Sequence, residues 1–134
     1  MDIELATNDP LKSLVLQDIE KLDDGHEHEP GNNHYVCNLV VVSDWLRFHI
    51  RFYFQKRYLT EALENLIGMS QGVAGEAIIK EEYETTYIGF RMDKLGHVTV
   101  FGAVLQGPDD QTVKFSFNTD QTILPSLISD LKKV

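Results

Sequence analysis

The last third of the chain changes from a strand pattern to a helix pattern within a few residues. Val113, Phe115 and Phe117 alternate with polar residues, which is the period of a strand with one buried face. Beyond a polar hinge, five apolar residues recur on one helical stripe: Ile123, Leu124, Leu127, Ile128 and Leu131. This switch predicts a domain that contains both strands and helices.

The hinge itself is predicted to be structural. Thr122 is the predicted N-cap of the last helix, because this choice places Pro125 in the first turn, where a missing N–H costs nothing. Asp120 and Gln121 are predicted to satisfy unpaired N–H groups where the strand becomes the helix. The helix itself is predicted over about 122–133.

The clearest strand lies at 46–55, where apolar and polar residues alternate almost perfectly. Its apolar residues would face the core, and its other face would carry Arg47, His49, Arg51, Tyr53 and Gln55. The preceding run, 35–43, is apolar and rich in β-branched residues, and Ser43 and Asp44 supply turn chemistry between the two.

The rest of the chain predicts one more helix and a meander of strands. A stripe of apolar residues predicts the helix over about 57–69. Strands separated by short turns follow at 76–80, 83–92, 97–106 and 112–118, which indicates antiparallel neighbours. The predicted fold class is therefore α+β, with a single antiparallel sheet of about six or seven strands in meander order and both helices packed on one face.

The sequence determines the secondary structure of two segments near the N-terminus less clearly. Residues 10–22 fit either a helix, which the periodicity slightly favours, or a strand around 13–17. Residues 23–34 are dense in breakers and are predicted to form a flexible polar loop.

Length and composition narrow the class of protein. A chain of 134 residues suits one domain, 1–134, and its single cysteine, Cys37, lies in an apolar run typical of a buried hydrophobe. The formal net charge of −9 argues against nucleic acid as a direct ligand and agrees better with a basic protein partner. Without a visible signal segment or a long apolar run, we expect a cytoplasmic protein that does not enter a membrane.

No cluster in the sequence has the spacing of a known reaction centre. The run His26-Glu27-His28-Glu29 with His34 lacks the spacing of a zinc site, so we expect no metal and no cofactor. A nucleophile elbow and a phosphate-binding glycine loop are both missing, and a lone His97 at a strand start is more typical of packing or hydrogen bonding. The expected protein is therefore not an enzyme.

Two groups of side chains are candidates for binding. The first is acidic and lies at predicted turns: Glu81, Glu82, Glu84, Asp109 and Asp110. The second is the polar face of the predicted sheet, with Arg47, His49, Arg51 and Tyr53 on one strand, Tyr87 and Arg91 on another, and Lys114 on a third. Such turns are usually solvated, and such a face is either the wet side of a sheet or an interaction surface rich in Tyr and Arg.

Two stretches carry a resemblance to a known family. Gly96-His97-Val98-Thr99-Val100-Phe101-Gly102 and the segment from Phe115 to Ile128 resemble the WapI-type immunity proteins of bacterial polymorphic toxin systems, and the similarity extends more weakly from Tyr35 to the C-terminus. The resemblance implies a small cytoplasmic protein without catalytic machinery that binds and neutralises the toxic C-terminal domain of a cognate toxin. It also favours a strand over residues 13–22.

The expected function is therefore neutralisation by occlusion. The acidic turns would contact a basic toxin such as a nuclease, and the Arg/Tyr face would contact an acidic one. The alternative is a small-ligand-binding or regulatory domain, with a pocket around His49, Tyr53 and Tyr87.

Overall fold

Alternation of apolar and polar residues builds the strands of this protein, and two amphipathic helices complete it. The computed structural model describes residues 1–5, 7–22, 33–81, 85–106, 109 and 111–134. Its strands are β1 (Ile3–Glu4), β2 (Lys12–Leu22), β3 (His34–Ser43), β4 (Leu46–Gln55), β5 (Gly75–Lys80), β6 (Tyr87–Met92), β7 (His97–Gln106) and β8 (Gln111–Asp120). The helices are α1 (Lys56–Ser70) and α2 (Leu124–Leu131).

The strands form two antiparallel sheets, so the prediction of a single sheet is wrong. The N-terminal sheet has the order β1-β2-β3-β4, and the C-terminal sheet has the order β5-β6-β7-β8. Within each sheet the predicted meander order is confirmed. The break falls between β4 and β5, where α1 is inserted. Because the chain enters a helix after β4, no strand follows directly to pair with the free edge of β4.

Both sheets turn one face to the same core. The core cluster includes Leu39 and Phe52 from the N-terminal sheet and Phe90 and Val100 from the C-terminal sheet. The rings of Phe48 and Phe115 lie 5.5 Å apart and join β4 to β8 across it. The predicted class, α+β, is confirmed, while the core lies between two sheets rather than against one.

The helices add apolar stripes to that core. In α1 the buried residues are Leu59, Ala62, Leu66 and Met69, and in α2 they are Leu124, Leu127, Ile128 and Leu131. Helix α1 packs against β5 and α2, while α2 also contacts β1. Neither helix is both long and apolar enough to cross a membrane, a finding that covers only the described ranges of the chain.

Residues 12–22 form a strand, so the helix that periodicity slightly favoured is wrong. Leu14 pairs with Val41 and Leu16 pairs with Leu39, which places both leucines on the buried face. A register shift between Gln17 and Glu20 interrupts the alternation, and Asp18 within it has a φ of 53°. The apparent helical stripe does not coincide with the buried face, since Leu11, its first residue, is 48% exposed.

The predicted polar loop at 23–34 lies outside the described residues except at its end. His34, the last residue of the predicted loop, is the first residue of β3. The carbonyl of Asn33 accepts a hydrogen bond from the Lys56 N–H at 2.8 Å, which ties the start of α1 to the start of β3.

At the hinge, Asp120 caps the 3-10 turn that precedes α2, and the N-cap position of α2 itself is Ile123 rather than the predicted Thr122. The Asp120 side chain accepts hydrogen bonds from the Thr122 N–H at 2.8 Å and from the Thr122 hydroxyl. A single 3-10 turn (Gln121–Ile123) follows, and Pro125 lies in the first turn of α2. The Gln121 side chain covers Gly96, whose added Cβ would stand 3.1 Å from Gln121 Oε1. The correction arises because Asp and Thr are both good caps, and the longer β8 brings the carboxylate to the right position.

We predict that Asp120→Ala lowers the melting temperature by about 4 °C at pH 7, because the Thr122 N–H loses its acceptor. Asp120→Asn keeps an acceptor and serves as the matched control. Hydrogen bonds from Thr122 hold the pKa of Asp120 below its usual range, so the advantage of wild type over the asparagine variant is present at neutral pH and is lost as the pH falls through that lowered pKa. Thermal unfolding followed by circular dichroism checks this, and equal melting temperatures for wild type and Asp120→Ala would contradict the assignment of the cap.

Candidate binding surface

The two sheets separate the polar residues that the sequence placed on one face. Arg47, His49, Arg51 and Tyr53 lie on the outer face of the N-terminal sheet. Tyr87, Arg91 and Lys114 belong to the C-terminal sheet, where their outward positions alternate with core residues. The single sheet face on which a pocket around His49, Tyr53 and Tyr87 was predicted does not exist, because the strands that carry them belong to different sheets.

The outer face of the N-terminal sheet combines long polar side chains with valines. Arg47 is paired with Val42, and His49 with Val40. The Arg51 guanidinium donates to the amide oxygen of Asn38 at 3.2 Å. These cross-strand neighbours fit a solvated sheet face whose long side chains cover the valines.

The outer face of the C-terminal sheet carries a more organised group, which we call the aromatic–cation patch: Glu76, Ile78, Lys80, Tyr87, Arg91 and Phe101. Its centre is Phe101, whose ring lies over its cross-strand partner Gly89. A Cβ on Gly89 would stand only 2.4 Å from the Phe101 ring. Glycine is thus required at position 89 for the ring to lie against the sheet.

Two neighbours hold the Phe101 ring from either side. The Arg91 guanidinium carbon lies 4.6 Å from the ring centroid, and the Tyr87 ring meets it edge-on at 6.3 Å. Glu76 fixes Arg91 by accepting a hydrogen bond from its Nε at 2.9 Å. Neither terminal nitrogen of Arg91 has a hydrogen-bond partner within the described part of the chain. The Arg91 side chain is 57% exposed, so a carboxylate or a carbonyl of a bound molecule can reach them.

The patch also encloses a groove. All six patch residues line a depression of about 380 Å³. A second depression of about 230 Å³ shares Glu76, Ile78 and Lys80 with the first and continues to Glu61 and Asn65 of α1. Together they make a groove that runs from α1 across β5 to β7, with apolar and aromatic walls and charged groups along it.

The acidic turns are placed at one end of the C-terminal sheet. The Glu81 N–H donates to the Thr86 carbonyl at 2.9 Å, and the Thr86 hydroxyl accepts from the Leu105 N–H at 3.2 Å, so the β5–β6 turn is tied to the end of β7. Asp109 is exposed in the β7–β8 turn at the same end. Glu82, Glu84 and Asp110, the other predicted members, lie outside the described residues.

Glu81 differs from an ordinary solvated carboxylate. Burial raises its pKa above the usual range, and a hydrogen bond from the Tyr53 backbone N–H opposes that rise. The bond also links the end of β5 to β4, where the two sheets approach each other. Glu81 is therefore in part a structural residue of the junction between the sheets.

We predict that Glu81→Gln raises the melting temperature at pH 7, since the amide oxygen can still accept from Tyr53 and no buried charge remains. The pKa of Glu81 is higher in the folded state than in the unfolded state. Wild type therefore loses stability relative to this variant as the pH rises from below about 4.5 through the pKa of the folded state. The difference should therefore vanish in acid. Asp109→Asn controls for removing one negative charge from the same end, and a Glu81→Gln effect that is equal at pH 4 and pH 7 would contradict the account.

His49 and His97 lie in different sheets, and His97 Nδ1 meets Asp93 Oδ2 at 3.1 Å in the exposed β6–β7 turn. Within the described ranges, no three His, Cys, Asp or Glu side chains come together in a way that could hold a metal ion. The His26–Glu29 run lies outside those ranges.

The sequence reasoning missed three residues that matter on these surfaces. Phe101 and Glu76 complete the patch, and the spacing of Phe101 opposite Gly89 became visible only once the register of β6 and β7 was known. Trp45, in the turn between β3 and β4, is 89% exposed. Its position in a two-residue turn could have indicated this exposure from the sequence, because an indole in such a turn has no core in which to be buried.

Comparisons with known proteins add no relative: no family model, no curated protein and no solved structure matches this chain.

Proposed function

We propose that this protein is a non-enzymatic immunity protein that binds the toxic C-terminal domain of a cognate bacterial polymorphic toxin and neutralises it by occlusion. The resemblance of residues 96–102 and 115–128 to WapI-type immunity proteins motivates the proposal. Neutralisation would take place in the cytoplasm of the cell that makes both proteins.

The observation that carries the proposal is the aromatic–cation patch. Arg and Tyr are common anchors of protein interfaces, and their contribution is largest where they are held in place before binding. Arg91 is held by Glu76 and by the Phe101 ring, so little side-chain freedom remains to be lost on association. A surface of this kind suits the recognition of a protein.

The charge of the chain supports a partner with a basic surface. The net charge of −9 would speed the encounter with a nuclease whose nucleic-acid groove is positive. The acidic turns are the natural source of this attraction, with Glu81 and Asp109 at one end of the C-terminal sheet. In this proposal they steer the toxin domain, and the patch supplies the close contact.

A second candidate function is the binding of a small molecule in the groove beside the patch. Its volume of about 380 Å³ lies within the usual range of ligand sites, roughly 300–1,000 Å³. A ligand there would combine an apolar or aromatic body with an acidic group that reaches Arg91. Amide chemical shifts recorded against a library of aromatic acids would favour this candidate if they moved together at Tyr87, Arg91 and Phe101.

The direct test of the proposed function is co-expression with the toxin domain encoded next to this protein. We expect growth to be restored, and we expect the two purified proteins to elute as one complex in size-exclusion chromatography. An unrelated acidic protein of similar size is the control for non-specific protection by charge. Failure of both rescue and complex formation would refute the proposal.

The same assay distinguishes the two sheet faces. We predict that Arg91→Ala weakens binding of the toxin domain roughly tenfold or more, because it removes the fixed cation of the patch. Arg47→Ala removes an equally charged side chain from the outer face of the N-terminal sheet and should change the Kd by less than about twofold. Isothermal titration calorimetry measures both, and the reverse ranking would assign the interface to the N-terminal sheet.

A further inference from the structure

The turn between β3 and β4 presents the most exposed large apolar side chain in the described part of the chain. Trp45 is 89% exposed, whereas a tryptophan in a folded protein normally buries most of its large surface. The strands on either side of it are fully paired, with Ser43 opposite Leu46. The indole therefore projects from the tip of a regular hairpin.

Two hydrogen bonds tie the turn of this hairpin to other segments of the chain. The Asp44 N–H donates to the Leu11 carbonyl at 2.7 Å, which ties the turn to the segment before β2. The Ser43 hydroxyl donates to the Ser116 carbonyl at 3.0 Å, which ties it to β8. Asp44 itself adopts a φ of 55°, a conformation that aspartate tolerates in tight turns. The turn holds Trp45 outward on a rigid support, so its exposure does not come from a loose chain.

A polar cleft lies beside the hairpin. Its volume is about 380 Å³, and its walls include Asp9, Lys12, Asn118 and Asp120. Lys12, the residue that pairs with Ser43, approaches Asp9 at 3.9 Å, so its charge offsets one of the two carboxylates. The remaining carboxylate gives the cleft a net negative charge, which favours a basic side chain of a partner.

We infer that the Trp45 turn is a docking tip for a protein whose surface offers an apolar pocket of indole size, bordered by a basic side chain that enters the cleft. Tryptophan is the residue most enriched among interface anchors, and a rigid anchor loses little freedom when it inserts. A lipid surface fits less well, because Asp44 directly precedes Trp45 in the turn, and anionic membranes attract basic segments.

The identity of the partner rests on the proposed function, so the probe is the toxin domain encoded next to this protein. Trp45 is the sole tryptophan, and the protein labelled with 5-fluorotryptophan has one fluorine resonance that reports this site alone. We expect that resonance to shift and to lose its solvent isotope effect when the unlabelled toxin domain is added. Trp45→Ala should weaken the complex by roughly 30-fold or more.

Leu95→Ala is the matched control variant, since Leu95 is an apolar side chain that is 81% exposed in the β6–β7 turn. It should change the Kd by less than about twofold, and both variants should keep the wild-type melting temperature. A complex that forms with an unchanged fluorine resonance and equal Kd values for the two variants would overturn the inference and leave the proposed function intact. No complex at all would overturn both, and a shift produced by lipid vesicles alone would replace the protein pocket with a membrane surface.

Discussion

Burial of both sheets against one core is the constraint on which the rest of this structure depends. Each strand has two faces, and one face of each strand from β2 to β8 is buried in the shared core. The contact between Phe48 and Phe115 is where the two sheets meet through aromatic rings, and Phe115 in turn lies over Gly102, where any Cβ would stand 2.5 Å from the ring. Because the core uses these faces, every surface available for recognition is an outer face, a turn or a groove beside a helix.

The two outer faces differ in the residues that lie beneath their long side chains. In the N-terminal sheet these residues are valines, and arginine and histidine side chains lie beside them in solvent. In the C-terminal sheet the corresponding residue is Gly89, which has no side chain. The Phe101 ring can therefore lie against the backbone at Gly89, and Arg91 packs on that ring. One missing Cβ thus separates a solvated surface from an organised one, and for this reason the sheet face in the proposed interface is that of the C-terminal sheet.

Periodicity in the sequence predicted the elements well and their assembly less well. The strand at 46–55 and the helix near 57–69 are where they were expected, since alternation and stripes are local signals. The division into two sheets was not predictable, because it depends on whether β4 and β5 pair, and that is decided by where α1 packs. The same error placed Arg47 and Arg91 on one face. The patch depends on the register that brings Gly89 opposite Phe101, which no local pattern contains.

Hydroxyl-radical footprinting of the protein alone and mixed with its proposed partner, a toxin domain, tests the central claim most directly, because it reports side-chain exposure on several outer surfaces in one experiment. Tyr87 and Phe101 should become protected in the complex, while Tyr53, which is 49% exposed on the outer face of the N-terminal sheet, should react as before. Protection of Tyr53 with no change at Tyr87 and Phe101 would contradict the account.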